Sequence, residues 1–101
     1  MNEESLEHRV EIVVGEDQEA GVFAGFASVW RTQEAFVLDF AIETRLSERL
    51  EDTATGEEYV QIPARVVSRI RIPPAQVWEL MKALEQNLSA YERDYGPLNR
   101  D

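Results

Sequence analysis

The sequence predicts an α+β fold: a four-stranded antiparallel sheet followed by one long C-terminal helix, in the order β-β-β-β-α. Three observations carry that expectation. Residues 59–72 alternate, with Val60, Ile62, Ala64, Val66, Ser68, Ile70 and Ile72 on one side and Tyr59, Gln61, Pro63, Arg65, Val67, Arg69 and Arg71 on the other, the period of two that marks a strand. Residues 35–43 alternate in the same way, with Phe36, Leu38, Phe40 and Ile42 against Ala35, Val37, Asp39, Ala41 and Glu43, and their aromatic content suits a pleated surface. In residues 75–95, by contrast, Val77, Met81, Leu84, Leu88, Tyr91 and Tyr95 recur at spacings of four and three, one stripe of a helix.

Taken in chain order, residues 1–8 (MNEESLEH) are polar and acidic and are expected to be flexible. A first strand is expected at 9–14, RVEIVV, stopped by Gly15. The second, 22–30, is apolar on both faces: Val22, Ala24, Phe26 and Trp30 lie on one, Phe23, Ala27 and Val29 on the other. That pattern predicts a central strand covered on both sides, with Gly25 marking a bulge or a close backbone approach. The short link 31–34 predicts a hairpin into the third strand, 35–43. The polar insertion 44–58 has two readings: a helical turn through Leu46 and Leu50, or a twisted hairpin arm, with the reversal at 53–56. The fourth strand, 59–72, returns antiparallel to the third. Pro73 and Pro74 end it and open the helix, which has no Ser, Thr, Asp or Asn as N-cap and stops at Gly96-Pro97. Residues 9–97 thus form a single domain, and 98–101 a short tail.

Composition narrows the function classes. A chain of 101 residues supports one modest core, and 44% hydrophobic residues argue against disorder. The absence of cysteine removes disulfides, thiolate zinc sites and a cysteine nucleophile. No signal-peptide pattern opens the sequence and no apolar run approaches the roughly 20 residues of a membrane span, so a cytoplasmic location is expected. The net charge is −10, with −6 in residues 1–20 and a positive balance, +3, only in 59–72. Such a surface repels nucleic acid and anionic lipid, and favours basic or unfolded protein partners.

Self-association follows from geometry. Four strands at ~4.8 Å make a sheet nearly ~20 Å wide, whereas one helix spans only ~10–12 Å. The face away from the helix also carries Val37, Ala41 and Val67, a larger apolar patch than a small monomer leaves bare. A homodimer or tetramer would cover it. On the same face Asp39 and Glu43 are expected to meet Arg65, Arg69 and Arg71, inside one sheet or across a subunit interface. The candidate interface residues are therefore Phe23, Phe26, Trp30, Val37, Asp39, Arg65, Val67, Arg69, Arg71 and Trp78.

No residue pattern points to catalysis, a cofactor or a metal. His8 among Glu4, Glu7 and Glu11 is a weak metal signal. Asp39, an acid in an apolar strand, reads as a paired structural carboxylate with arginines nearby. Phosphate-binding glycine loops are absent. A nucleic-acid ribbon built on Arg65, Arg69, Arg71 and Tyr59 is opposed by the overall charge.

Phe36-Val-Leu-Asp-Phe40, Val66-Val-Ser-Arg-Ile70, Pro74 and a helix ending in Tyr91 and Tyr95-Gly96 resemble a widespread family of short prokaryotic proteins of unknown function. The resemblance covers about residues 21–97; it implies a sheet-plus-helix fold and no known activity. The expected topology is also similar to that of SecB, an acidic, cytoplasmic export chaperone that assembles as a dimer of dimers and binds unfolded chains along apolar grooves. The chain departs from SecB in its single long helix and shorter length. The likeness implies an oligomeric chaperone or adaptor; the alternative is a structural subunit of a homo- or hetero-oligomer that binds no clients.

Overall fold

The computed structural model describes residues 5–98. The expected tails, 1–8 and 98–101, lie largely outside that range. The strands are β1 (Phe26–Arg31), β2 (Phe36–Glu43), β3 (Glu48–Glu51), β4 (Glu58–Gln61) and β5 (Ala64–Ile72), and they are followed by one long helix, α1 (Pro74–Tyr95). One turn of 3-10 helix, Glu16–Gln18, precedes them. The fold is α+β, as expected, but the single four-stranded sheet is not formed. A three-stranded antiparallel sheet, ordered β1-β2-β5, stands beside a separate two-stranded arm, β3-β4. The likeness to SecB topology rested on the four-stranded sheet.

The hairpin expected across 31–34 joins β1 to β2, closed by the Thr32 amide donating to the Ala35 carbonyl at 2.9 Å. β2 lies in the centre, and its residues Val37, Asp39 and Ala41 are the buried ones. β1 is an edge strand with every residue exposed, not the doubly covered central strand that its apolar content suggested. Apolar residues on both faces record what a strand can bury, not which neighbours this chain supplies.

The expected strand at 59–72 is two strands. Pro63 has no N–H to give a ladder and restricts the residue before it, so the alternating run breaks at Ile62-Pro63. The Pro63 carbonyl instead accepts from the Thr44 amide at 3.0 Å, where the arm leaves the sheet. The polar insertion resolves as the hairpin arm. Its reversal falls at 53–56, as read from the sequence: Gly56 adopts φ 75°, and the Asp52 carboxylate accepts from the amides of Ala54 (2.8 Å) and Thr55 (3.2 Å). Asp52→Ala removes both bonds. It should cost the arm about 1 kcal/mol, seen as faster amide exchange in Glu48–Glu51 and Glu58–Gln61 with the main sheet unchanged.

No ladder contains residues 9–14. Val10, Ile12 and Val13 are 88%, 83% and 80% exposed, so the expected first strand is an unpaired apolar arm. Val22 and Ala24 line a groove with Phe40, Val67, Ser68 and Ile70, so the chain just before β1 lies over β2 toward β5.

α1 matches its expected span. Pro73 precedes it in extended geometry without a side-chain cap, and Gly96, φ 95°, ends it with its amide on the Glu92 carbonyl at 2.7 Å. Its apolar stripe faces the Phe36–Leu38 side of the sheet. Val77, Leu80, Met81 and Leu84 line one side of an apolar gap of about 290 Å³ whose other side is Val29, Phe36, Leu38 and Ile72. No helix residue is buried.

Candidate functional site

The two faces of the main sheet follow from its register. Directly opposed residues share a face. Across β1 and β2, Trp30 lies opposite Val37, Ser28 opposite Asp39, and Phe26 opposite Ala41. Across β2 and β5, Val37 faces Arg71 and Asp39 faces Arg69. These residues form the face turned away from α1.

The register then slips by one residue. Phe40 pairs with Ser68 but Ala41 pairs with Val66, which leaves Val67 as the extra residue of a β-bulge. Beyond the bulge the alternation of β5 inverts. Arg65 comes opposite Ile42, on the helix side of the sheet, and Val66 and Ala64 take its place beside Ala41 and Glu43. The three-arginine row read from the sequence is therefore split: Arg69 and Arg71 share the Asp39 face and Arg65 does not. Glu43 has no ion pair among the described residues. The register shift is at Val67; at Gly25, read as a bulge or a close backbone approach, the amide donates to the Ala41 carbonyl at 2.8 Å, and a Cβ there would meet only that carbonyl, at an ordinary 4.0 Å.

At the centre of this face three strands supply one network. Arg69 donates to Asp39 through Nε (2.6 Å to Oδ1) and Nη2 (2.9 Å to Oδ2). Trp30 Nε1 donates to the same Oδ2 at 3.2 Å. The guanidinium also sits over the Trp30 ring, 5.6 Å from its centroid, within cation–π range. The Asp39 side chain is 11% exposed and that of Arg69 54%, so the pair closes over the carboxylate with one side in water. The hydrogen bonds from Arg69 hold the Asp39 carboxyl below its ordinary pKa against a smaller opposing effect of burial, and Trp30 adds to the lowering. Its bonds to Asp39 likewise hold Arg69 more firmly as a cation. An ionised carboxylate engaged by three donors is poor acid or base material. The network pins the three strands in register.

Arg71, opposite Val37, makes no ion pair among the described residues. Phe26 lies at one end of the same face, and with Phe23, Gly25, Ile42, Glu43 and Ile62 it lines an open, largely apolar groove of about 590 Å³. Trp78 is exposed on α1, apart from this face. The structure thus brings Trp30, Val37, Asp39, Arg69 and Arg71 together, joins Phe23 to Phe26 at the groove, and separates Arg65, Val67 and Trp78 from them.

Sequence reasoning missed two things here: the bond from Trp30 to Asp39, and the exposed Val10, Ile12, Val13 and Val14. The second was visible as a strand-like run, but the run does not say which sheet it joins. Among the described residues no three His, Cys, Asp or Glu gather as metal ligands, and no helix is long and apolar enough to cross a membrane.

Residues 1–100 match the model of a family described as "Protein of unknown function (DUF3467)". No curated protein and no solved structure matches the chain.

Proposed function

Because the chain belongs to the DUF3467 family, whose description assigns no activity, we propose its function from its surfaces: a non-enzymatic homo-oligomer whose assembled apolar surface binds other polypeptides, as a chaperone or adaptor. One observation carries this reading. The chain has 9619 Å² of accessible surface, whereas a compact monomer of 11.6 kDa exposes only about 5,800 Å². Its radius of gyration is 19.6 Å, against about 13 Å for a compact domain of this length.

The surplus of about 3,800 Å² exceeds what one copy contributes to an obligate dimer, roughly 1,000–2,500 Å². Self-association alone leaves surface over, and the exposed apolar residues on it offer a site for another chain. The groove beside Phe23 and Phe26 and the exposed Trp78, Met81 and Leu84 on α1 supply the apolar anchors such binding uses. The charge of −10 favours basic or unfolded partners over nucleic acid. Asp39, the one buried acid among the described residues, is committed to Arg69 and Trp30, which supports a non-catalytic role. SecB-like client binding is the specific form proposed, and the cytoplasm, where a cysteine-free chain loses nothing to the reducing conditions, is the proposed compartment.

Light scattering on purified protein at micromolar concentration should give a dimer or larger species, and a molar excess should suppress aggregation of a denatured client. A monomer overturns the reading. An oligomer that leaves client aggregation unchanged overturns the client-binding half and leaves the structural subunit.

A further inference from the structure

We propose that residues 9–14 of one copy add as a strand to the outer edge of β1 in a second copy, so that the proposed oligomer is held by exchanged arms. This rests on the reading of the protein as a homo-oligomer, and it names the joint.

The donor is the arm RVEIVV. Its β-branched residues are strand formers, and Val10, Ile12 and Val14 alternate with Arg9, Glu11 and Val13 as a strand requires. It makes no backbone hydrogen bond within its own chain among the described residues, and its valines and isoleucine stand in water. Water satisfies the backbone in that state, but nothing hides the side chains.

The acceptor follows from comparing the two free edges of the main sheet. β5 is guarded: it carries the bulge at Val67, three arginines, and Pro63 and Pro73 at its ends. Bulges, charges and prolines are how proteins stop an edge from recruiting strands. β1 has none of these along its length save Arg31 at its end. It is six residues long, as is the arm, and it exposes Phe26, Val29 and Trp30. An unguarded edge of matching length is a template for an added strand. In its own chain the arm joins no ladder, and residues 22–24 lie toward β5 rather than along the outer edge of β1. The second copy is therefore the occupant, and a two-fold axis lets both arms exchange at once.

The test uses the lack of cysteine in the full chain. A nitroxide placed on Arg9→Cys in unlabelled protein, mixed with isotope-labelled wild type, should broaden amide signals of Phe26–Arg31 in the labelled copy. Ile12→Pro, which removes a ladder donor from the exposed arm, should weaken dimerisation at least tenfold while circular dichroism stays that of a folded chain. Broadening along β5, or along no strand, in a protein that light scattering shows to be oligomeric overturns the exchange and leaves the oligomer standing. A wild-type monomer overturns the oligomer itself. If Ile12→Pro unfolds the chain, the broadening pattern alone decides.

Discussion

Val37→Lys should abolish cooperative folding of the main sheet. Val37 is the one large side chain with no exposure among the described residues, at the centre of β2 between Trp30 on one neighbour and Arg71 on the other. A lysine there loses the apolar contact, adds volume to a closed site, and sets an ammonium directly across from a guanidinium. Burying an unpaired charge costs roughly 3–5 kcal/mol in practice. Domains are stable by about 5–15 kcal/mol in total, and a chain whose buried apolar residues, among those described, are Val37 and Ala41 sits at the low end of that range. Urea unfolding followed by fluorescence of Trp30 and Trp78 should show no native baseline for the variant. Thr53→Lys, on the exposed tip of the arm, should stay within about 0.5 kcal/mol of wild type. A wild-type midpoint for Val37→Lys would show that β2 is not where this protein keeps its core.

That so few residues are buried bears on what a sequence can disclose. The helix, the β1–β2 hairpin and the arm's reversal depend on short-range features, the stripe from Val77 to Tyr95, the four-residue link and the turn at 53–56, and the antiparallel pairing of β2 with β5 on two matching alternating runs. Each was legible. Pro63 was legible too, since a proline inside an alternating run argues against one continuous strand, and the stretch around it reads as unbroken only if alternation is allowed to outweigh the missing donor. The bulge at Val67 was not. No glycine marks it, and shifting the register by one residue reverses every side chain beyond it, which is why Arg65 leaves the Asp39 face. The edge position of β1 and the solitary course of 9–14 were illegible for another reason. Their apolar residues state a need for burial, and a sequence does not say whether the covering surface lies in the same molecule.

The charge distribution fits that division. The arm and the turn after it hold most of the acids of residues 1–20, while the arginines of β5 lie where the sheet is closed by its bulge and its ion pair. In the proposed assembly, the like charge around the apolar arm opposes the approach of two copies, and only short-range burial against a complementary edge outweighs that repulsion. Assembly of this protein should accordingly strengthen as salt rises from low concentration, the opposite of what a phosphate-binding surface shows.

Asp39→Ala should be the most damaging polar substitution in the chain, since it strips the carboxylate from under Arg69 and Trp30 at once. The half-exposed guanidinium would keep its charge with only water in place of the carboxylate, and the half-exposed indole N–H would lose its acceptor; donors left part-satisfied are worse than both partners removed. The double variant Asp39→Leu with Arg69→Leu should therefore recover part of the stability that Asp39→Ala loses, whereas the exposed pair Arg49–Glu58 can be removed with little effect. The pH dependence has a definite sign. The Asp39 carboxyl is held below its ordinary value of 3.8, so its contribution is fully present above that pH and is lost as the pH falls through the lower folded-state value. Wild-type unfolding midpoints should drop on acidification below 3.8, and Asp39→Ala should lack that part of the drop. Parallel acid profiles for the two proteins would mean that the pair contributes nothing to the fold. The register of Trp30, Asp39 and Arg69 would then have to be held by packing around Val37 alone.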